Sequence, residues 1–468
     1  MDADHLLPCE PTDIVCPLDD RQQKRNMLLF AANTSLIYLG GSVVYVGITE
    51  AALCQKLGTS AAMANLPATA FGFGSLVPVF VAWYFPSVRM LKPLLAISYV
   101  LTAAAGMAMT ALLLLSAPAR VVVWGLVGYG LVVGAAMQII GTLQFEVLGR
   151  GMSAVRRSQT LWLAYAVGPV IALVGSLVSQ VVLAGQVELP YVNASLEFGL
   201  RPFTFPIAGF PLNFAILFAA SVPMMAMCAL NSMTFVIPRP AQDLTRQPFV
   251  TTVFGGIGEI LRNPTIRIAS LATILIFGGN MILSNISLYT QQILGVAAEQ
   301  YVGYQNALRF GCKIISGALI GWLLTRTNPK SALVATALVG LTGVLWAAVV
   351  PGKWFMVSFG LLGAGELFAT YYPNYILSCS PASKMRRNMA FTYMLPLIAS
   401  PAGWMFGKIS DIYGQDHRPS FVAAMVILAA TLALVVFALP ARPRPRREDM
   451  DATDMAFEPQ AADVPVSR

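Results

Sequence analysis

Arg309 and Lys313 lie four residues apart in a stretch, Tyr301 to Leu324, that is long and apolar enough to cross a bilayer as a helix. On such a helix they share one face, where two like charges repel. Each costs roughly 2.5–3.5 kcal/mol at a helix centre on insertion scales. A long side chain escapes that cost by bending its charge out to the headgroups, but at about 1.5 Å per residue Lys313 stands about 17 Å from either end of the stretch. The pair therefore predicts a water-filled or charge-compensated cavity. The chemistry it suits is anion recognition, because a guanidinium grips carboxylate or phosphate with two parallel hydrogen bonds and an ammonium adds a point charge. Gln305, one turn earlier, joins the expected substrate-binding set.

Glu366 is the acid that stands far from the ends of an apolar segment, in a run from Gly363 to Tyr375 that also holds Gly365, Tyr371, Tyr372 and Pro373. Two roles fit it. It is a permanent ion-pair partner of Arg309 or Lys313, or it is a proton-coupling site, since a carboxylate in a low-dielectric cavity beside cations is balanced between opposing effects. The two glycines let a neighbouring backbone approach, and Pro373 frees a carbonyl and permits a kink. Two polar stripes recur at helical spacing: Tyr38, Ser42, Tyr45 and Thr49 in one segment, and Asn280, Ser284, Ser287 and Gln291 in another. Hydroxyl and amide stripes either glue helices together or line a cavity. The tyrosines at 38, 45, 371 and 372 predict a solute that is at least partly organic, held by ring contact and oriented by hydroxyls.

What positions these residues is a membrane bundle. The 468-residue chain is 57% hydrophobic and 11% charged, with a mean hydropathy of +0.68, values that place it among polytopic helical membrane proteins. The acidic first 26 residues carry no apolar core, so a cleaved leader is not expected. Twelve apolar segments are predicted, at about 27–50, 61–85, 92–116, 121–147, 158–185, 207–236, 266–294, 301–324, 331–351, 354–379, 389–410 and 419–440. Lys and Arg crowd the connections on one side, among them Arg21, Lys24, Arg25, Arg89, Lys92, Arg150, Arg156, Arg157, Arg326 and Lys330. That bias predicts both termini in the cytoplasm. It also accounts for most of the +8 net charge, so nucleic acid is not an expected partner.

The six cysteines and two histidines show neither a disulfide framework nor metal-ligand spacing. Phosphate loops, His-Glu-x-x-His pairs and Gly-x-Ser-x-Gly elbows are missing. No enzymatic activity, cofactor or metal is expected. Asn193 and Ser195 form a minimal glycosylation pattern.

The chain reads as a cytoplasmic tail over 1–26, a six-helix half over 27–236, a cytoplasmic linker over 237–264 with an interfacial helix expected at Phe249 to Leu261, a second six-helix half over 265–441 and a disordered cytoplasmic tail over 442–468. The halves repeat each other. Ser35 to Ser42 matches Thr273 to Asn280, Phe71-Gly72 and Trp83 recur as Phe310-Gly311 and Trp322, and Val155 to Arg157 recurs as Met385 to Arg387.

With its two halves of six and a basic linker, the sequence resembles the major facilitator superfamily of secondary transporters along nearly its whole length. The family's signature, Gly-x-Leu-Ala-Asp-Arg-x-Gly-Arg-Lys, is matched after the eighth segment at Gly321, Leu323, Arg326 and Lys330, with Thr325 at the acidic position; after the second segment little survives beyond Arg89 and Lys92. Gly168-Pro169 resembles the core of a motif in the drug-exporting branch, and Gly407 to Gly414 resembles the pattern after the eleventh helix. The resemblance implies that the first and seventh helices line a central cavity, and that Glu146, Arg150 and Arg326 are gating charges at the inner face. It implies alternating access, with a small-molecule substrate, protons and the lipid bilayer as partners and a monomer in the cell or plasma membrane. Arg309 and Lys313 point to an anionic organic solute and Glu366 to proton coupling. The alternatives are an exporter of amphipathic compounds, and a receptor or assembly factor on the same fold.

Overall fold

A computed structural model describes residues 18–192, 198–238, 262–379 and 385–443, together with 248, 257 and 258. The expected linker and its interfacial helix, both tails and the Asn193 to Ser195 pattern lie largely or wholly outside these residues. Nine segments of the described residues are each long and apolar enough to cross a membrane. The other three expected spans, 27–50, 354–379 and 389–410, fall where the chain is helical but broken into shorter pieces.

The first half opens with α1 (Asp20–Leu39), α2 (Gly41–Val44) and α3 (Ile48–Lys56). α1 starts seven residues before the predicted span because Asp19 and Gln22 cap it reciprocally. The same segment runs six residues past the predicted end, with Glu50 and Cys54 buried. α4 (Ala61–Phe73) and α5 (Val77–Tyr84) follow, then α6 (Leu91–Leu114), α7 (Ala119–Gly151), α8 (Ala154–Ala184) and α9 (Leu212–Met233). Between the last two stands an antiparallel hairpin that amends the all-helical expectation, β1 (Gln186–Val192) paired with β2 (Phe198–Thr204), with Gln186 opposite Thr204.

The second half holds α10 (Pro264–Asn280), α11 (Leu283–Leu294), α12 (Val302–Arg326), α13 (Pro329–Val349), α14 (Val357–Gly365), α15 (Phe368–Ser378), α16 (Met385–Ala399), α17 (Pro401–Ile412) and α18 (Arg418–Ala438). The expected kink near Pro373 is placed earlier: the helix is interrupted between Gly365 and Phe368, with Glu366 at the interruption.

Packing repeats as the sequence does. In the first half α1 lies on α8, α4 on α7 and α6 on α9; in the second α10 lies on α16, α12 on α14 and α13 on α18. The halves meet through a matching pair of contacts, α8 with α12 and α4 with α17. Within the second half Gly363 lets α14 approach α12, since a Cβ there would collide with the backbone of Arg309. Arg156 pairs with Asp20 at 2.6 Å at the end of the bundle where α1 starts, and Lys24 and Arg156 hold the Asp20 carboxyl below its usual range. This is the terminal end; the opposite one, carrying the hairpin, is the distal end.

Candidate functional site

The two cations and the acid singled out in the sequence meet. Arg309 Nε lies 2.6 Å from Glu366 Oε1, and Lys313 Nζ lies 2.6 Å from Glu366 Oε2. Helical spacing puts both cations on one face of α12, and the break between α14 and α15 delivers the carboxylate between them. Side-chain exposures of 13%, 15% and 8% for Arg309, Lys313 and Glu366 leave the cations slightly open and the acid nearly closed off. Two positive groups and one negative leave one positive charge uncompensated within the triad. A buried charge without its partner is costly, so the surplus favours an anion beside it.

The triad adjoins an aromatic patch. The ring of Phe310 lies 5.5 Å from the Arg309 guanidinium carbon and 5.4 Å from Lys313 Nζ, within cation–π range. Phe310 in turn meets Tyr38 edge-on at 5.8 Å and Tyr45 at 5.8 Å, and the two tyrosines are 5.6 Å apart. Tyr38 lies against Gly168, where a side chain would displace its ring. Tyr38 and Tyr45 belong to the first half and Phe310 to the second, so charge and aromatic surface come together across the boundary between halves.

The remaining expected residues take other places. Ser42 accepts a hydrogen bond from Ser179 Oγ at 2.7 Å, and its carbonyl accepts from Thr49, both within the first half. Gln305 is wholly buried, accepting from Ser287 Oγ at 2.6 Å and donating to Thr290 Oγ1 at 2.9 Å. Asn280 lines a narrow cleft inside the second half with Thr336, Gly340 and Phe368. Ser284 is buried where α11 meets the first half, its hydroxyl near Gly47. Tyr371 is half-buried on α15. Glu146 and Arg150 pair at 2.9 Å along α7, and Arg326 is exposed at the end of α12.

At the distal end the halves are tied by several polar contacts. Asp411 accepts from the backbone N–H groups of Ala61 and Ala62 at 2.8 and 3.0 Å, capping α4 from the other half. Asn65 donates to Asn285 Oδ1 at 2.6 Å, and Lys56 pairs with Glu299 at 2.6 Å. Gln180 donates to the Gln300 carbonyl at 2.6 Å, and the Tyr304 hydroxyl accepts from the backbone of Glu188 in the hairpin. Behind this seam Asn285 donates to Ser410, which contacts His417 Nδ1 at 3.1 Å. Burial pushes the His417 imidazole down to about 4, against the pull of Asp416 and Asp411. This face is shut.

Glu50 is the residue that sequence reasoning missed. It is fully buried on α3; one carboxylate oxygen accepts from the Gly47 N–H at 2.7 Å, and the other has no hydrogen-bond partner. Ending the first apolar segment at residue 50 made the acid look terminal, although Ala51, Ala52, Leu53 and Cys54 continue it.

No family model matches the chain, and no curated protein does either. Solved structures do. A major facilitator superfamily transporter in its outward conformation is similar over 89% of this chain and 98% of its own, at 15% identity and a TM-score of 0.57. The chain has the major facilitator fold. A D-xylose–proton symporter with that fold covers 90% of this chain and 97% of its own, at 14% identity and a TM-score of 0.60. A POT family transporter solved with 5-aminolevulinic acid covers 89% and 96%, at 12% identity and a TM-score of 0.62. With the apolar spans, the major facilitator fold makes this an integral, multi-pass membrane protein.

Proposed function

We propose that the chain is a secondary active transporter that moves a small organic anion by alternating access between its two halves, coupled to protons. The observation that carries this reading is the surplus positive charge of the Arg309, Lys313 and Glu366 triad, set against the Tyr38, Tyr45 and Phe310 rings at the boundary between halves. An incoming carboxylate or phosphate competes with Glu366 for the two cations. Glu366, losing those partners inside the bundle, takes up a proton, so that binding one anion favours binding one proton. Release of the solute returns the carboxylate to Arg309 and Lys313 and discharges the proton. The rings contact the organic part of the solute, and Tyr371 orients it.

The halves rock about this point. The shut distal face corresponds to the outer side of the membrane, with the chain termini in the cytoplasm, and the Glu146–Arg150 pair and Arg326 act at the terminal end. That two compared structures are a proton symporter and a transporter holding an organic acid supports the reading at the level of the fold. The test is uptake of radiolabelled organic anions into proteoliposomes under an imposed pH gradient. Wild type is expected to concentrate an anion when the gradient is inward, and Glu366→Gln to exchange it without responding to the gradient. Concentrative uptake by Glu366→Gln equal to that of wild type contradicts the coupling. Transport confined to lipophilic cations or uncharged amphipathic compounds makes the protein an exporter-type carrier instead.

A further inference from the structure

The mechanism above leaves Glu50 unused, although its burial is complete and half its carboxylate is unpaired. A charged carboxylate in such a place is far less favourable than a neutral one. Its position gives the cost a consequence. α3 lies at the distal seam, packed against α4 in its own half and against α11, the turn at Ala298–Gln300 and α12 in the other. Rocking the halves apart removes α11 and α12 from α3 and admits water to Glu50. We propose that Glu50 is a proton-binding residue of the distal gate, neutral while the gate is shut and ionised once it opens.

The groups around it leave little to neutralise an ionised form in place. α4 carries no ionisable residue. α11 offers only Tyr289, whose hydroxyl is held by Arg418 Nε at 3.1 Å. Glu299 of the turn is already paired with Lys56. On α12, Tyr304 is bonded to the hairpin, and Arg309 and Lys313 are held by Glu366. Tyr129 of α7 donates to the Val43 carbonyl at 3.0 Å, and Cys54 is a buried thiol on the same helix. A second orphan donor, the side-chain N of buried Asn306, stands on α12 one turn before Arg309. Among the described residues no cation forms an ion pair with Glu50 in the shut state, whereas water can answer it in the open one. Each proton that leaves therefore favours opening, so rising pH opens the gate.

The inference rests on the alternating-access part of the proposed function and not on the identity of the solute. Spin-labelled noncanonical residues placed at Arg120 and Tyr413, exposed positions at the distal ends of the two halves, read the gate as a distance in the full-length protein in nanodiscs, without solute. As pH is raised stepwise from acid to alkaline, the wild-type ratio of open to shut should rise, by up to tenfold per pH unit for one proton released. Glu50→Gln, fixed in the neutral form, should stay shut throughout; a Gln variant that titrates as wild type does, or a wild type that ignores pH, overturns the proposal. Where the Gln variant proves too unstable, Glu50→Asp is expected to titrate with a displaced midpoint, and an undisplaced midpoint overturns it equally. A titrating gate in a protein that no anion stabilises leaves this inference standing and removes the anion site. An anion-stabilised protein with a pH-blind gate does the reverse.

Discussion

The two halves share a scaffold but not its charges. Phe71-Gly72 on α4 and Phe310-Gly311 on α12 occupy repeat-equivalent places 239 residues apart, and each helix lies on the corresponding partner, α7 or α14. At that offset Arg309 answers to Ala70 and Lys313 to Gly74. A Cβ at Gly74 would strike the backbone of Ala135, so the first half has no room for a side chain where the second carries Lys313. The difference teaches that duplication supplies a paired frame in which one half is free to pack while the other carries charge. The first half contributes rings to the shared site, and the second contributes the ions.

That asymmetry is broken most severely by removing the acid. Glu366→Ala leaves two buried cations one turn apart without their partner, and the expected loss is about 3–5 kcal/mol, read as a lowered Tm in detergent. Replacing Arg309, Lys313 and Glu366 together by methionine should recover most of that loss, making the second half as neutral as the first while abolishing transport. A triple variant as unstable as Glu366→Ala would show that the triad stabilises the fold itself. Smaller in effect is Gly363→Ala, which sets a methyl against the Arg309 backbone and should cost about 1–3 kcal/mol by overpacking. Gly311→Ala, where a Cβ meets nothing within 4 Å, should instead stabilise by roughly 0.5–1 kcal/mol through helix propensity. Equal outcomes for the two glycines would remove the close approach of α12 and α14 from the account.

The seam between the halves gives smaller effects again. Asp411→Asn weakens the cap that the second half places on α4 and should cost about 1–2 kcal/mol, seen as a longer mean distance between the distal loops. The last is a pH effect. His417 is neutral in its buried place with a pKa of about 4, while an exposed imidazole ionises near 6.5. Stability held by the neutral form is present above about 6.5 and is lost as pH falls toward 4. A falling Tm over that window is expected, flattened in His417→Gln; an unchanged slope in the variant would assign the effect to another group.

Much of this was legible in the sequence, for physical reasons. Charges inside an apolar stretch are costly enough to announce themselves, so Arg309, Lys313 and Glu366 stood out and are found together. Repeat offsets exposed the paired frame because packing constrains glycines and aromatics in the same register. What stayed hidden depended on where helices break. The interruption at Glu366, rather than at Pro373, and those around Gly40 and Tyr45 rest on tertiary contacts that local propensity does not record. Hydroxyl and amide stripes read alike whether they face a cavity or a neighbouring helix, and Ser42 and Gln305 are bonded within one half. Glu50 went unseen because hydropathy drops at a charge whether the helix ends there or continues past it.

The proposed transport rests on an anion binding against the Arg309, Lys313 and Glu366 triad. Its most direct test is the melting of purified wild-type protein and Arg309→Ala with a panel of organic and inorganic anions, neutral sugars and lipophilic cations. A ligand that binds the native state raises Tm with its concentration and affinity. At least one organic anion is expected to stabilise wild type and to fail to stabilise Arg309→Ala. Stabilisation only by lipophilic cations, equal in both proteins, would contradict it and leave Arg309 and Lys313 as structural partners of Glu366.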